Sequence, residues 1–131
     1  MLQTLQIRNV VLIERAEVSF GRGLNVLTGE TGAGKSIIVD ALTAIAGGRT
    51  PRELIRTGAA DASVTAEFSD IPVFAWFEEN DVEPQDGGSL VITRKITAEG
   101  KNTCRVNGTI VTVSQLREIG GLLIDIHGQN D

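Results

Sequence analysis

Gly29-Glu30-Thr31-Gly32-Ala33-Gly34-Lys35-Ser36 is the stretch whose reading decides the fold. It meets the phosphate-loop template G-x-x-x-x-G-K-[ST] at every fixed position. Leu24 to Thr28, just before it, is a short run that reads as a strand. Ser36 to Ala46, just after it, reads as a helix closed by Gly47-Gly48. The order strand, glycine loop, helix is the one the mechanism requires, and at average residue frequencies the motif alone arises by chance in about half a percent of chains this long. In such a loop the backbone N–H groups and the positive end of the helix dipole converge on a β-phosphate, and the glycines let the main chain approach without Cβ clashes. Lys35 then bridges the β- and γ-phosphates as a point charge, and the Ser36 hydroxyl ligates Mg²⁺. ATP with Mg²⁺ is the expected cofactor, cradled by Gly29, Glu30, Thr31, Gly32, Ala33, Gly34, Lys35 and Ser36.

The rest of the chain bounds this reading. With 131 residues, 41% of them apolar, it is long enough for one hydrophobic core and short for a complete mechanical ATPase. No run approaches a membrane span, and Met1 to Gln6 lacks the basic and apolar regions of a signal peptide, so a cytoplasmic protein with no membrane partner is expected. Cys104 is the one cysteine; no internal disulfide is possible, and space-filling in or near a strand is its expected role. The net charge of −5 argues against a broad DNA-binding surface. No Lys or Arg occurs between Thr57 and Thr93, where Asp61, Glu67, Asp70, Glu78, Glu79, Asp81, Glu83 and Asp86 fall. Basic residues collect instead at Arg49, Arg52 and Arg56, and at Arg94, Lys95, Lys101 and Arg105. For the second group, solvated faces balanced by nearby acids are at least as good a reading as a nucleic-acid patch.

Alternation predicts strands over Leu2 to Ile7 and Ala16 to Phe20, ahead of the strand entering the loop. Gly47 to Ala60 reads as a basic loop with a turn at Pro51 to Ile55. Ala62 to Ser69 reads as a strand, and Ile71 to Asn80 as a short helix with Pro72 in its first turn, its Phe74, Trp76 and Phe77 covering a sheet. Ser89 to Thr97 and Asn102 to Val106 read as strands, and Asn107-Gly108 as a two-residue hairpin into Thr109 to Thr112. Ser114 reads as an N-cap, with Arg117 and Glu118 on the outer face of a helix ending at Gly120-Gly121. Leu122 to Ile126 then reads as an apolar strand. His127 has no second His or Cys at ligand spacing, which argues against zinc.

Ile7-Arg8-Asn9 with Leu12-Ile13, the loop at 29 to 36, Asp40-Ala41-Leu42, Gly47-Gly48-Arg49 and Asp125-Ile126-His127-Gly128-Gln129 together resemble the N-terminal part of the bacterial RecN family of DNA repair proteins. These are SMC-like ATPases whose head is split by a long antiparallel coiled coil. The resemblance covers essentially the whole chain. It implies an α/β fold, a P-loop NTPase of the ABC/SMC head type, with a mixed β-sheet around the P-loop helix and an antiparallel β-subdomain. It also implies one incomplete unit over residues 1–131, the N-terminal lobe of a head, ending where the coiled coil would begin. Arg56, in Glu-Leu-Ile-Arg-Thr-Gly, resembles the arginine that follows the P-loop helix in SMC heads and contacts nucleotide or DNA; Arg49 and Arg52 compete for that part. Arg8 and Asn9 either flank the nucleotide or belong to a surface strand.

Two readings of the C-terminal run stay open. Leu122-Leu123-Ile124-Asp125 loosely fits a Walker B strand whose carboxylate holds the Mg²⁺ shell, but Ile126 stands where ABC-type ATPases carry a catalytic Glu. The favoured reading is a Q-loop, in which Gln129, after the strand, reaches Mg²⁺ and the attacking water. The signature Leu-Ser-Gly-Gly, a complete Walker B and coiled-coil heptads are not in this sequence; in the family they lie further along the chain. The implied activity is ATP hydrolysis in the full-length protein and little in this chain alone. Implied partners are the C-terminal half of the same head, a second head engaged through ATP, DNA during double-strand-break repair, and a recombinase, with the full-length protein associated with the nucleoid. The alternatives are a small stand-alone P-loop kinase or nucleotide-binding regulator with Asp125 as its metal carboxylate, and a folded interaction module with a vestigial loop.

Overall fold

The computed structural model describes residues 2–20, 25–26 and 32–128, with side chains assigned for 2–20 and 36–124. β1 (Leu2–Val10) and β2 (Ile13–Ser19) form a hairpin, and β3 (Asn25–Val26) pairs with β2 on its way into the glycine loop. α1 (Gly32–Ile45) follows. β4 (Asp61–Phe68), the short α2 (Ala75–Glu79), β5 (Leu90–Thr97), β6 (Asn102–Val106), β7 (Thr109–Val111) and α3 (Val113–Gly128) complete the order. The described strands form one sheet in the order β3-β2-β1-β4-β5-β6-β7, with every pairing antiparallel.

Period-two alternation explains why these strands share a sheet. Leu5 and Ile7 of β1, Ala16 and Val18 of β2, Val64 and Ala66 of β4, Leu90 and Ile92 of β5, and Cys104 and Val106 of β6 are buried on one face. Thr4, Gln6, Arg8, Glu67 and Lys95 alternate with them toward solvent. A sheet apolar on one side must cover that side with helices, and Ile37, Ala41, Ala44 and Ile45 of α1 and Leu116, Ile119 and Leu123 of α3 are buried in the same core. Cys104 packs there as expected. Asn107 (φ 50°) and Gly108 (φ 86°) take the paired left-handed conformations of a tight hairpin turn. The Asn107 side-chain oxygen also accepts from Val91 N–H at 2.9 Å, which pins the turn to β5.

Two helices differ from expectation. α2 covers only Ala75–Glu79, with Phe74 extended at its start (φ −66°, ψ 149°), so Pro72 precedes the helix instead of sitting in its first turn. Trp76 and Phe77 nevertheless cover the sheet as expected, and the Trp76 indole N–H donates to Gln115 O at 3.0 Å, joining α2 to α3.

The larger correction is α3. Gly120-Gly121 does not end it, and Leu122 to Ile126 is not a strand: one helix runs from Val113 to Gly128. Its N-cap is Thr112, not Ser114. Gln115 N–H donates to Thr112 Oγ1 at 3.0 Å while Thr112 N–H donates to Gln115 Oε1 at 2.7 Å, a reciprocal capping box. Leu116, Ile119, Gly120 and Leu123 are buried at a helical period that passes straight through the glycine pair. Gly120 is there for closeness: a Cβ on it would lie 2.5 Å from Ala46 O. On the facing strand of chain, a Cβ on Gly47 would lie 2.7 Å from the backbone of Arg117. The two glycines let α3 cross the end of α1 almost backbone to backbone.

Candidate nucleotide site

α1 begins at Gly32, inside the 29–36 motif. The N–H groups of its first turn have no intrahelical partner by construction, and no acidic residue stands in that turn to occupy them or to cancel the dipole. An anion is the complementary ligand. The Ser36 side chain is exposed on this end of the helix. Gly29, Glu30 and Thr31 lie outside the described residues, as does Gln129, and the Lys35 side chain is likewise outside them. Asp125 now sits within α3, so the strand that both the Walker B and the Q-loop readings started from is replaced by a helix.

The backbone brings together three pairs of residues far apart in sequence. Arg56 N–H donates to Asn9 O at 2.8 Å, Val11 N–H donates to Leu54 O at 2.6 Å, and Val10 bridges to Ile55. The tip of the β1–β2 hairpin is thereby stitched to the basic loop after α1. Asn9 and Val11 take left-handed φ values of 56° and 54° to make the bend. Arg56 is half-buried at this seam, while Arg49 and Arg52 are exposed. Arg52 lies against Gly100 of the β5–β6 turn. Arg8 points to the open face of the sheet, where it pairs with Asp61 at 3.0 Å, and Lys95 reaches the same carboxylate at 3.6 Å. That favours the surface-strand reading of Arg8.

Arg94 is the residue that sequence reasoning misplaced. Counted there among candidate surface cations, it is 4% exposed and is the buried charged residue of the described core. Alternation with Leu90, Ile92 and Ile96 turns it inward. Its Nη1 donates to Ala44 O at 2.8 Å, in the last turn of α1, and to Gly48 O at 2.6 Å, just past the helix. Burial lowers its pKa from the ordinary value, the nearby Cys104 opposes this, and the charge of Arg117 adds to the lowering. The strict period of β5 was the signal that could have found it.

The described residues thus form an antiparallel sheet backing a helix whose free end lies in a phosphate-loop motif, the organisation of an ATPase head of the ABC/SMC type. Residues 4–129 match the AAA domain family, and the chain belongs to that family. It is similar over its whole length to the DNA repair protein RecN of Bacillus subtilis (50% identity) and to that of Vibrio cholerae (36% identity over 99% of the chain). It spans 23% and 24% of those proteins' own lengths, about a quarter. In fold it resembles an SMC ATPase solved in a study of ATP-driven dimerization and DNA-stimulated activation, with TM-score 0.68, 23% identity, and coverage of 90% of this chain and 76% of that one. The SMC head domain from Thermotoga maritima superposes at TM-score 0.62 and 21% identity, covering 89% of this chain and 41% of that one. The resemblance drawn from the motifs and the expected ABC/SMC head fold are both borne out, while the sheet, expected to be mixed, is antiparallel at every pairing among the described residues.

Proposed function

We propose that residues 1–131 are the ATP-binding N-terminal lobe of an SMC-type ATPase head acting in DNA double-strand-break repair. The observation that carries this is the start of α1 at Gly32, within a complete phosphate-loop motif and with no acid in its first turn. Gly29 to Ser36 would hold the phosphates of ATP, Ser36 and Gln129 would hold Mg²⁺, and Arg56 would approach the nucleotide from the seam with Asn9. Bound Mg²⁺ neutralises charge on the β- and γ-phosphate oxygens. The chain's own part is to orient the phosphates with backbone N–H groups and Lys35.

Hydrolysis belongs to the full-length protein, because the signature motif and catalytic Glu of such heads are not in this sequence. An apolar groove between α1 and α3, lined by Leu42, Ala46 and Leu123 with Val39 and Ile124 each 61% exposed at its edge, supports a covering segment. The C-terminal half of the same head is that segment in our reading, consistent with a chain that spans a quarter of its relatives. A second head engaged through ATP, DNA, and a recombinase are the further partners, at the nucleoid in the cytoplasm. The test is calorimetric titration of Mg·ATP into wild type and Lys35→Ala. Loss of a charge-assisted phosphate contact lowers affinity roughly ten- to a hundredfold; equal affinities in two folded proteins would refute the reading.

A further inference from the structure

We infer that Arg94 is a positioning residue for the nucleotide site, acting through α1 from the end of the helix remote from the phosphates. The inference rests on the nucleotide-site reading above. α1 is 14 residues long, so its ends stand about 20 Å apart at 1.5 Å per residue. It carries no basic residue in its own last turn. The chain leaving the helix already supplies N–H donors to Leu42 O, Thr43 O and Ala44 O, but these carry no net charge, and the negative end of the dipole is complemented by a cation from elsewhere. β5 supplies it: one guanidinium nitrogen, Nη1, bonds both Ala44 O and Gly48 O.

Two of the three remaining N–H groups are committed as well. Arg94 Nε donates to Asn102 Oδ1 at 3.0 Å and Nη2 reaches Thr50 Oγ1 at 3.4 Å, while Asn102 Nδ2 donates to the same Thr50 oxygen at 3.1 Å. A single planar group therefore ties the sheet (β5, β6) to the end of α1 and to the start of the loop that carries Arg56. Among the described residues no carboxylate pairs with Arg94; the ion pairs Arg8–Asp61 and Lys95–Asp61 lie on the solvent face. A buried cation is costly unless hydrogen-bonded, and here three of the four acceptors, Ala44 O, Gly48 O and Thr50 Oγ1, lie on α1 or on the chain leaving it. Burial of this charge is stable only with the helix held in one place, which makes the position of α1, and of its phosphate-facing end, conditional on Arg94. The flexible ammonium of lysine satisfies the two carbonyls but not the fork to Asn102 and Thr50.

The experiment measures Mg·ATP affinity for Arg94→Met, Arg94→Lys, Asn102→Ala and Lys35→Ala, in the protein as the cell makes it, well below each variant's Tm. Arg94→Met is expected to weaken ATP about 2- to 30-fold, the range of long-range coupling through packed elements. Arg94→Lys should recover most of that loss. Asn102 is exposed, so its variant keeps the core and decides the matter if Arg94→Met does not fold; a smaller loss in the same direction is expected. A purely architectural Arg94 lowers Tm while the folded variants bind ATP as wild type does, and that result overturns the inference. Wild-type affinity in Lys35→Ala would instead overturn the nucleotide-site reading itself, so the two failures are distinguishable.

Discussion

Replacing each glycine of the Gly120-Gly121 pair by alanine separates the observed helix from the strand that the sequence suggested. Alanine in a helix interior is favoured over glycine by about 0.5–1 kcal/mol. At Gly121 a Cβ meets nothing within 4 Å, so Gly121→Ala should stabilise the protein by about that amount. At Gly120 the Cβ would stand 2.5 Å from Ala46 O, 2.8 Å from its Cα and 2.9 Å from its carbonyl carbon. These are backbone atoms, fixed by α1, and cannot swing aside as a side-chain tip does. Relief requires α3 to lift from the end of α1, an overpacking cost of about 1–3 kcal/mol that outweighs the propensity gain. The net expectation for Gly120→Ala is a loss of about 1–2 kcal/mol, so the two neighbouring variants should differ by about 1.5–3 kcal/mol, with opposite signs. Urea denaturation with the slope m held common reads this directly. Equal stabilities for the two variants, or a destabilised Gly121→Ala, would show that residues 113–128 are not one helix packed against Ala46.

Three further outcomes are expected. Asp61→Asn removes the negative charge shared by Arg8 and Lys95, yet all three groups are partly exposed, so thermal melts should show a loss of under about 1 kcal/mol that vanishes in high salt. Burial raises the Cys104 pKa above its ordinary 9.0; the folded state then holds the thiol proton more tightly than the unfolded state, so stability is intact below pH 9.0 and falls as pH rises beyond it, a slope that denaturation curves should show to be reduced in Cys104→Ala. In the full-length protein, Gln129→Ala should slow ATP turnover more than it weakens ATP binding, because an oriented water matters mainly in the transition state; lost binding with unchanged turnover would reassign Gln129.

Local chemistry determined much of this protein. The phosphate-loop motif, the helix after it, the alternating strands and the Asn107-Gly108 hairpin are short-range patterns, and each was legible because its cause lies within a few residues. The capping box at Thr112 and Gln115 is equally local, but Ser114, two positions on, is an equally good N-cap residue by type. What sequence could not decide depended on contacts between distant segments. Gly120-Gly121 looks like a helix stop when read alone; only the approach of Ala46 and Gly47 explains a glycine inside a continuous helix. Arg94 looks like a surface cation by type, and becomes a buried ligand of α1 because β5 turns it toward carbonyls some 50 residues earlier in the chain. The seam between Asn9 and Arg56 likewise exists only once β1 and the basic loop meet. A pattern of residues specifies the elements, whereas close packing and the need to satisfy a buried charge are properties of their assembly.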